Sequence, residues 1–263
     1  MALGLIGKKL GQTRVYDADG VSRPVTIVLA GPNRVLQVRT SELDGYSAVQ
    51  LAFGDQKPQR LSKAALGHLV KHGVLDAKAS GQAREKGEKK HLTAVAEIRE
   101  FRNFTKEVKT GDIVGPSLFA VGDYVDAIGV TKGRGFEGVV ARHAFCGGDS
   151  THGAKGWHRR GGAIGQRLFP GTVMRGMKMP GHLGRVRRTV QNLQIVQVRE
   201  SENVLLIQGA IPGANGDYVI IRESKKIPQQ LARQKAQAIA TAKAAALAAQ
   251  QKKSAAKASP SRK

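Results

Sequence analysis

The chain has 263 residues, enough for one well-buried domain with appendages or for two small domains. Its formal net charge of +23 and pI near 10.6 exceed what solubility requires, so they indicate a polyanionic partner, with nucleic acid as the first candidate. No apolar run reaches the roughly 18 residues of a membrane-spanning helix. The single cysteine, Cys146, excludes an internal disulfide and fits a reducing cytosol.

The N-terminal part of the chain shows strand and turn patterns. Residues 36–39 alternate between apolar and polar, Asp44-Gly45 supplies a tight turn, and residues 49–53 run back, which together predict a β-hairpin. Further turns of the same chemistry are predicted at residues 17–20 and at Asn215-Gly216.

A helical insertion, at about residues 59–90, interrupts this β structure. The apolar residues between 61 and 72 fall on one helical face, and Gly73 is placed to end the helix. Residues 76–90 are charged and rich in small side chains, so they predict a surface loop or a frayed second helix.

Three more strands are predicted near the C-terminal side. Residues 193–198, 204–207 and 218–221 are apolar, β-branched runs with turn residues between them. Together with the strands that flank the predicted turn at residues 17–20, at least six short strands come from both ends of the chain. A closed antiparallel β-barrel is the simplest arrangement that leaves no exposed sheet edge.

Positive charge is concentrated in two segments. Residues 131–190, the glycine-rich segment, hold twelve lysines and arginines against two acids, and residues 225–263, the basic tail, hold ten and no acid. Each segment carries +10, which leaves +3 for the rest. The prediction is a mainly β body of residues 1–130 and 191–224 with a small helical insertion, a long irregular RNA-binding extension and a basic C-terminal tail.

The glycine-rich segment shows neither the helical nor the strand period. Folded RNA can order such a segment, because phosphates neutralise its basic side chains and glycines let the backbone approach bases and sugars. The residues predicted to bind RNA are Lys132, Arg134, Arg142, Lys155, Trp157, His158, Arg159, Arg160, Gln166, Arg167, Arg175, Lys178, Arg185, Arg187 and Arg188. Trp157 is either a base-stacking residue or a local packing anchor.

The basic tail is rich in alanine, glutamine and lysine. This composition favours a helix at about residues 229–251, with Pro228 suited to its first turn. The apolar face is too thin to be buried, so a solvated or RNA-induced helix with a disordered end is expected.

A glycine motif at residues 133–138 matches the G-x-G-x-x-G pattern of nucleotide-binding loops. The β-branched Val139 and Val140 stand where a helix should follow, and His158 or Arg159 stands where an acid is expected. A sharp bend into the glycine-rich segment is therefore preferred to a nucleotide site.

The same segment lacks the residue patterns typical of a metal site and of a catalytic nucleophile. His143, Cys146, His152 and His158 lack the paired spacing of structural zinc sites, and Cys146 has only Asp149 nearby as an orienting acid. No metal, cofactor or catalytic residue is predicted, and the chain is expected not to be an enzyme.

Several motifs occur together in order along residues 1–223. They are GLIGKKLGQT at 4–13, GVTKGRGFEGVV at 129–140, HG at 152–153, GAIGQ at 162–166, PG at 170–171, KMPGHLG at 178–184, RTVQ at 188–191 and GAIPG at 209–213. With these motifs the chain closely resembles the third universal ribosomal protein of the large subunit, in its bacterial or organellar form.

The resemblance implies a barrel of the translation-protein type and an extension that reaches towards the peptidyl transferase centre. It also implies contacts with large-subunit rRNA and neighbouring ribosomal proteins, an early role in subunit assembly, and a place on cytoplasmic ribosomes rather than organellar ones. Gln166 matches a glutamine that some bacterial members carry methylated, so a glutamine methyltransferase is an expected partner. Ala163 stands where serine is common, which leaves recognition by that enzyme open. The basic tail lies beyond the resemblance.

Two other classes of function remain alternatives. A general nucleic-acid compactor would explain the alanine- and lysine-rich tail but not the glycine-rich segment. A nucleotide-dependent enzyme built on residues 133–138 would lack its partner motifs.

Overall fold

A computed structural model of the chain describes residues 3–17, 20–74, 94–227 and the single residue 234. The described residues fall into two compact units, one within Met1–Gly129 and Thr189–Lys263 and the other within Val130–Arg188. We call them the body unit and the extension unit. The fold is mainly β with a few short helices, as predicted. Among the helices of the described residues, none is long and apolar enough to cross a membrane.

The secondary structure consists of short elements connected by turns. The strands are β1 (Gly4–Tyr16), β2 (Ser22–Leu29), β3 (Asn33–Arg39), β4 (Ala48–Gln56), β5 (Ala94–Arg102), β6 (Ile113–Val114), β7 (Tyr124–Val130), β8 (Gly135–Glu137), β9 (Gly181–Leu183), β10 (Arg187–Arg199), β11 (Val204–Gln208) and β12 (Tyr218–Glu223). The helices are α1 (Ser41–Asp44), α2 (Lys63–Lys71) and α3 (Val139–His143), with 3₁₀ turns at Pro58–Arg60 and Pro116–Leu118.

Six strands close into an antiparallel barrel in the order β1-β12-β7-β10-β11-β2, which confirms the predicted barrel. Strands from the two ends of the chain meet directly, since Gly4 pairs with Arg222 and Lys8 pairs with Tyr218. The three runs predicted near the C-terminal side lie in β10, β11 and β12. Fully buried aliphatic side chains, Leu5 among them, form the barrel core.

The predicted hairpin exists but does not belong to the barrel. β3 and β4 pair in a separate four-stranded sheet of order β5-β4-β3-β6. The strands are joined by α1, which ends at Gly45 in the left-handed conformation, so the connection is longer than the predicted tight turn.

The strand β3 does not alternate between buried and exposed residues as expected. Val35 and Leu36 are both fully buried, because consecutive side chains of a strand point to opposite faces of the sheet and each face packs in a different cluster. Val35 joins the main core, whereas Leu36 packs in the cluster that includes Leu69 of α2. Both faces of this sheet are therefore covered.

The predicted helix of the insertion is α2, two residues shorter at its start than expected. The Ser62 hydroxyl accepts a hydrogen bond from the Ala65 amide at its N-terminus. Gly73 adopts a positive φ of 69° after its C-terminus, as predicted. The predictions for residues 76–90 and for a helix at 229–251 lie outside the described residues, apart from Gln234.

The two remaining predicted turns are present. The Gly20 amide donates to the Asp17 carbonyl at 2.9 Å, and Gly216 has a φ of 94°. Near the second turn, the buried Lys9 ammonium donates to the carbonyls of Ile211 and Gly213 at 2.8 and 3.0 Å. This cation fixes the loop before β12 onto β1, a contact that the sequence analysis did not predict.

Candidate nucleic-acid interface

The extension unit begins with a short two-stranded stem. β8 pairs antiparallel with β9, and Phe136 lies opposite His182. Next to this pair, the Arg134 amide donates to the Leu183 carbonyl at 2.8 Å. Gly184 has a φ of 78°, and a Cβ there would overlap the Lys132 carbonyl oxygen. Only glycine therefore allows these two segments of the chain to cross at this point.

A helix and a pair of side chains brace the unit beyond the stem. Val139, the first residue of α3, is buried beneath Gly161. The Arg142 guanidinium donates from Nη1 to the Met179 carbonyl at 2.7 Å, and His143 Nε2 donates to the same oxygen at 3.0 Å. These two bonds, which we call the brace, join segments of chain that are 37 and 36 residues apart.

Glycines also allow a close crossing of two backbone segments. A Cβ on Gly147 would overlap the His158 carbonyl oxygen, and one on Gly148 would lie 3.1 Å from the Trp157 carbonyl oxygen. The Gly148 amide donates to the His158 carbonyl at 3.2 Å. The crossing fixes the position of Trp157, whose ring centre lies 4.6 Å from the guanidinium carbon of Arg160.

The predicted RNA-binding side chains of the extension unit are almost all exposed. Arg142 is half-buried, and the fourteen exposed residues are Lys132, Arg134, Lys155, Trp157, His158, Arg159, Arg160, Gln166, Arg167, Arg175, Lys178, Arg185, Arg187 and Arg188. The structure describes every residue of this unit, and none of its lysines or arginines forms an ion pair with a carboxylate. A net charge of +10 therefore lies on its surface.

The distal part of the unit is a loop with exposed apolar side chains. Gln166 is followed by a turn in which Leu168 and Phe169 are 92% and 86% exposed. Gly171 then adopts a φ of 69°. Large apolar side chains exposed to this degree on a single loop are typical of a surface that packs against a partner.

The expectation that no helix follows the glycine motif at residues 133–138 was wrong. Val139 and Val140 do begin a helix, α3, because tertiary contacts of Val139 and Arg142 outweigh the low helix propensity of the two valines. The strand before it is nevertheless paired antiparallel with β9, unlike the parallel strand of a dinucleotide-binding fold.

The histidines and Cys146 are not gathered around one point. His143 is engaged in the brace, and no cluster of metal-ligating side chains occurs among the described residues. The sequence prediction missed the brace and the backbone crossing. The glycine pairs at 147–148 and 161–162, like Gly184 at the stem, were signals that could have indicated where two segments of the chain pass closely.

Comparison with known proteins gives consistent matches. A family model described as Ribosomal protein L3 matches residues 83–244. The chain is similar to the protein named large ribosomal subunit protein uL3 of Nitrosococcus oceani, with 45% identity over 229 residues, covering 86% of this chain and 98% of that protein.

Two further relatives carry the same name. The protein of Deinococcus radiodurans is 42% identical over 223 residues, which cover 85% of this chain and 95% of that protein. The protein of Alcanivorax borkumensis is 45% identical over 226 residues, which cover 86% and 99%. The chain therefore belongs to the ribosomal protein L3 family.

Proposed function

We propose that this chain is a structural constituent of the large ribosomal subunit in the cytoplasm and that its extension unit binds large-subunit rRNA. It is a non-enzymatic protein, as its family implies. The observation that supports the proposal most strongly is the surface of the extension unit, where fourteen predicted RNA-binding residues are exposed and the net charge is +10. Such a surface attracts a polyanion at short range and steers its approach.

The fold of the extension unit favours RNA over other polyanions. Its path is set by glycine crossings, the brace and the stem rather than by a large apolar core, so most of its length is backbone that a partner can contact. Protein contacts with RNA use phosphates and sugars along irregular chains, together with stacking of unpaired bases. An arginine-rich, glycine-rich loop meets these needs without regular structure.

The distal loop supports a more specific part of the proposal. We assign Gln166 and its neighbours to a position that supports the RNA of the peptidyl transferase centre, as the family resemblance implies. The exposed Leu168 and Phe169 would then be buried on assembly. Gln166 is exposed and accessible, which suits modification of its side-chain amide by a glutamine methyltransferase.

A role in early assembly and contacts with neighbouring ribosomal proteins complete the proposal. A barrel with its own buried core can be folded before RNA is present, and the exposed cations of the extension unit would then bind RNA segments during assembly. Binding by a folded protein then lowers the free energy of one RNA arrangement among many.

Sedimentation of the tagged chain in sucrose gradients tests the proposal. Cofractionation with large subunits is expected, whereas sedimentation with the nucleoid would favour the nucleic-acid compactor, and sedimentation with neither would overturn both. A triple variant, Arg185→Gln with Arg187→Gln and Arg188→Gln, should reduce incorporation into subunits.

The matched control removes three exposed charges from the body unit. It combines Lys57→Gln, Arg60→Gln and Lys106→Gln, which change the net charge equally. Incorporation should fall less in this control, because nonspecific attraction depends on total charge and site binding depends on the extension unit. Equal losses in the two triple variants would contradict the role given to the extension unit.

A further inference from the structure

The extension unit contains an open cavity that lies apart from its distal loop. The cavity measures about 560 Å³, within the range of roughly 300–1,000 Å³ that is typical of ligand pockets. Its walls are formed by His143, Ala144, Phe145, Cys146, Gly147, Gly148, Trp157, Arg160, Gly161, Gly162 and Lys178. None of these residues is acidic, and two of them are cationic at neutral pH.

Much of the cavity wall is bare backbone. Four glycines line it, and two of them, Gly147 and Gly148, are required by the crossing with the carbonyls of His158 and Trp157. Gly162 has a φ of 78°, and a Cβ there would meet no atom within 4 Å, so this position opens onto free space. A planar group entering the cavity can therefore reach backbone amides and carbonyls directly.

The side chains around the cavity combine aromatic and cationic character. Trp157 is 57% exposed, and Arg160 stacks on its ring with the guanidinium carbon 4.6 Å from the ring centre. Phe145 adds a second aromatic wall, and Lys178 adds a second cation. Aromatic faces beside cations are the elements with which proteins hold a single-stranded nucleotide.

We propose that this cavity receives one unpaired nucleotide of the bound rRNA, with its base against Trp157 and its phosphate at Arg160 and Lys178. The inference deepens the proposed function, on which it rests, by naming a specific site on the extension unit. It also decides between the two roles left open for Trp157. Charge favours RNA as the occupant, since the cavity has no acid and the unit around it carries +10.

The chain contains its own probes for this site. Cys146 and Trp157 are the only cysteine and the only tryptophan of the chain, and both line the cavity. Alkylation of Cys146 by iodoacetamide reports access to the cavity, and the emission of Trp157 reports stacking on its ring. Both are measured on the full-length chain, alone and with deproteinised large-subunit rRNA, alongside the dissociation constant.

Binding of rRNA should slow Cys146 alkylation at least about tenfold and quench Trp157 emission, as expected for a stacked base. Trp157→Ala should weaken rRNA binding about thirtyfold, the middle of the range for loss of one base stack. Trp157→Phe retains an aromatic face and should recover most of that affinity. Because the Trp157 side chain is exposed, neither substitution removes a buried contact from the body unit.

Two lysine variants distinguish phosphate binding in the cavity from general electrostatic attraction to RNA. Lys178→Gln removes an exposed cation that lines the cavity, and Lys155→Gln removes another exposed cation outside it. Both should lower the salt dependence of binding to a similar extent, but Lys178→Gln should cost several-fold more affinity. Equal losses would overturn the phosphate contact assigned to Lys178.

Failure of this inference can be told apart from failure of the proposed function. Tight rRNA binding with Cys146 alkylated at its free rate would overturn the cavity site and leave the proposed function intact. Protection of Cys146 without loss of affinity in Trp157→Ala would mean that RNA covers the cavity without entering it, which also overturns the inference. No binding to rRNA would overturn both.

A free nucleotide carries the same base and phosphate groups as a nucleotide of rRNA, so it is the alternative occupant of the cavity. Excess 5′-AMP, added to the chain without RNA, should leave Cys146 alkylation unchanged, because one phosphate does not supply the contacts of the surrounding chain. Protection by 5′-AMP alone would assign the cavity to a free nucleotide and overturn its assignment to rRNA.

Discussion

Replacing Arg142 by alanine should loosen the extension unit rather than remove an RNA contact. The sequence predicted that Arg142 binds RNA, but in the structure its guanidinium donates to the Met179 carbonyl at 2.7 Å and is half-buried. His143 donates to the same oxygen and remains after the substitution. The substitution therefore removes one of the two bonds of the brace.

The free-energy cost of losing this hydrogen bond follows from its charge, its burial and the second donor, His143. Hydrogen bonds to charged groups contribute about 1.5–3 kcal/mol when buried. Water can reach a half-buried carbonyl and His143 still donates to it, so we expect a loss of about 1 kcal/mol. This corresponds to about a fivefold increase in the local opening equilibrium, since 1.36 kcal/mol is tenfold.

Hydrogen exchange measured by mass spectrometry on the free chain tests this value. Amides in peptides covering residues 138–146 and 177–183 should exchange about fivefold faster in Arg142→Ala, while amides of the barrel strands keep their rates. Lys155→Ala is the matched control, because Lys155 is an exposed cation of the same unit outside the brace. Its exchange pattern should match that of the unchanged chain.

RNA binding gives the second readout. If Arg142 acts within the protein, Arg142→Ala weakens rRNA binding without changing the slope of log K against log salt, whereas Arg187→Gln lowers that slope by about one. Unchanged hydrogen exchange together with a slope lowered by about one would refute the reasoning. Arg142 would then be a phosphate ligand, as the sequence suggested.

Three further predictions concern the larger parts of the chain. Replacing residues 131–190 by a short turn should leave the body folded, because loop-length changes cost only about 0.6 kcal/mol per doubling; two-dimensional amide spectra collapsed to the unfolded range would contradict this. Truncation after Lys226 should lower the salt slope of RNA binding, and an unchanged slope would show that the tail meets another partner. Gln166→Ala should impair subunit assembly or the response to drugs of the peptidyl transferase centre while the rate of peptidyl transfer in assembled subunits stays nearly constant. A hundredfold loss, about 2.7 kcal/mol of barrier, would contradict the structural role of Gln166.

The barrel was predictable because its later strands have a strong local signal. Residues 204–207 are consecutive aliphatic residues, and in β11 all four are buried. The separate sheet was not predictable in the same way. Val35 and Leu36 point to opposite faces of β3 and enter different clusters, and the residue pattern along one strand does not show which sheet the strand joins or whether both faces are covered.

The extension unit was predictable in its charge but not in its internal structure. Long cationic side chains are rarely buried without a partner, so exposure of residues such as Arg185 and Lys178 follows from their type alone. Arg142 is the exception because its partner carbonyl, on Met179, is 37 residues away. Helix α3 was missed since its stability comes from such distant contacts rather than from the propensities of Val139 and Val140.

The pairing of β1 with β12 has a consequence for the order in which the chain folds during synthesis. The partner of Gly4 is Arg222, so the barrel cannot close until about 200 residues after its first strand has been made. Until then β1 has only β2, its hairpin neighbour, and one of its edges stays unpaired. The four-stranded sheet, whose strands all precede residue 115, can form earlier and shield part of the apolar surface. Because of this long-range pairing, the body is completed only when the last strand, β12, pairs with β1.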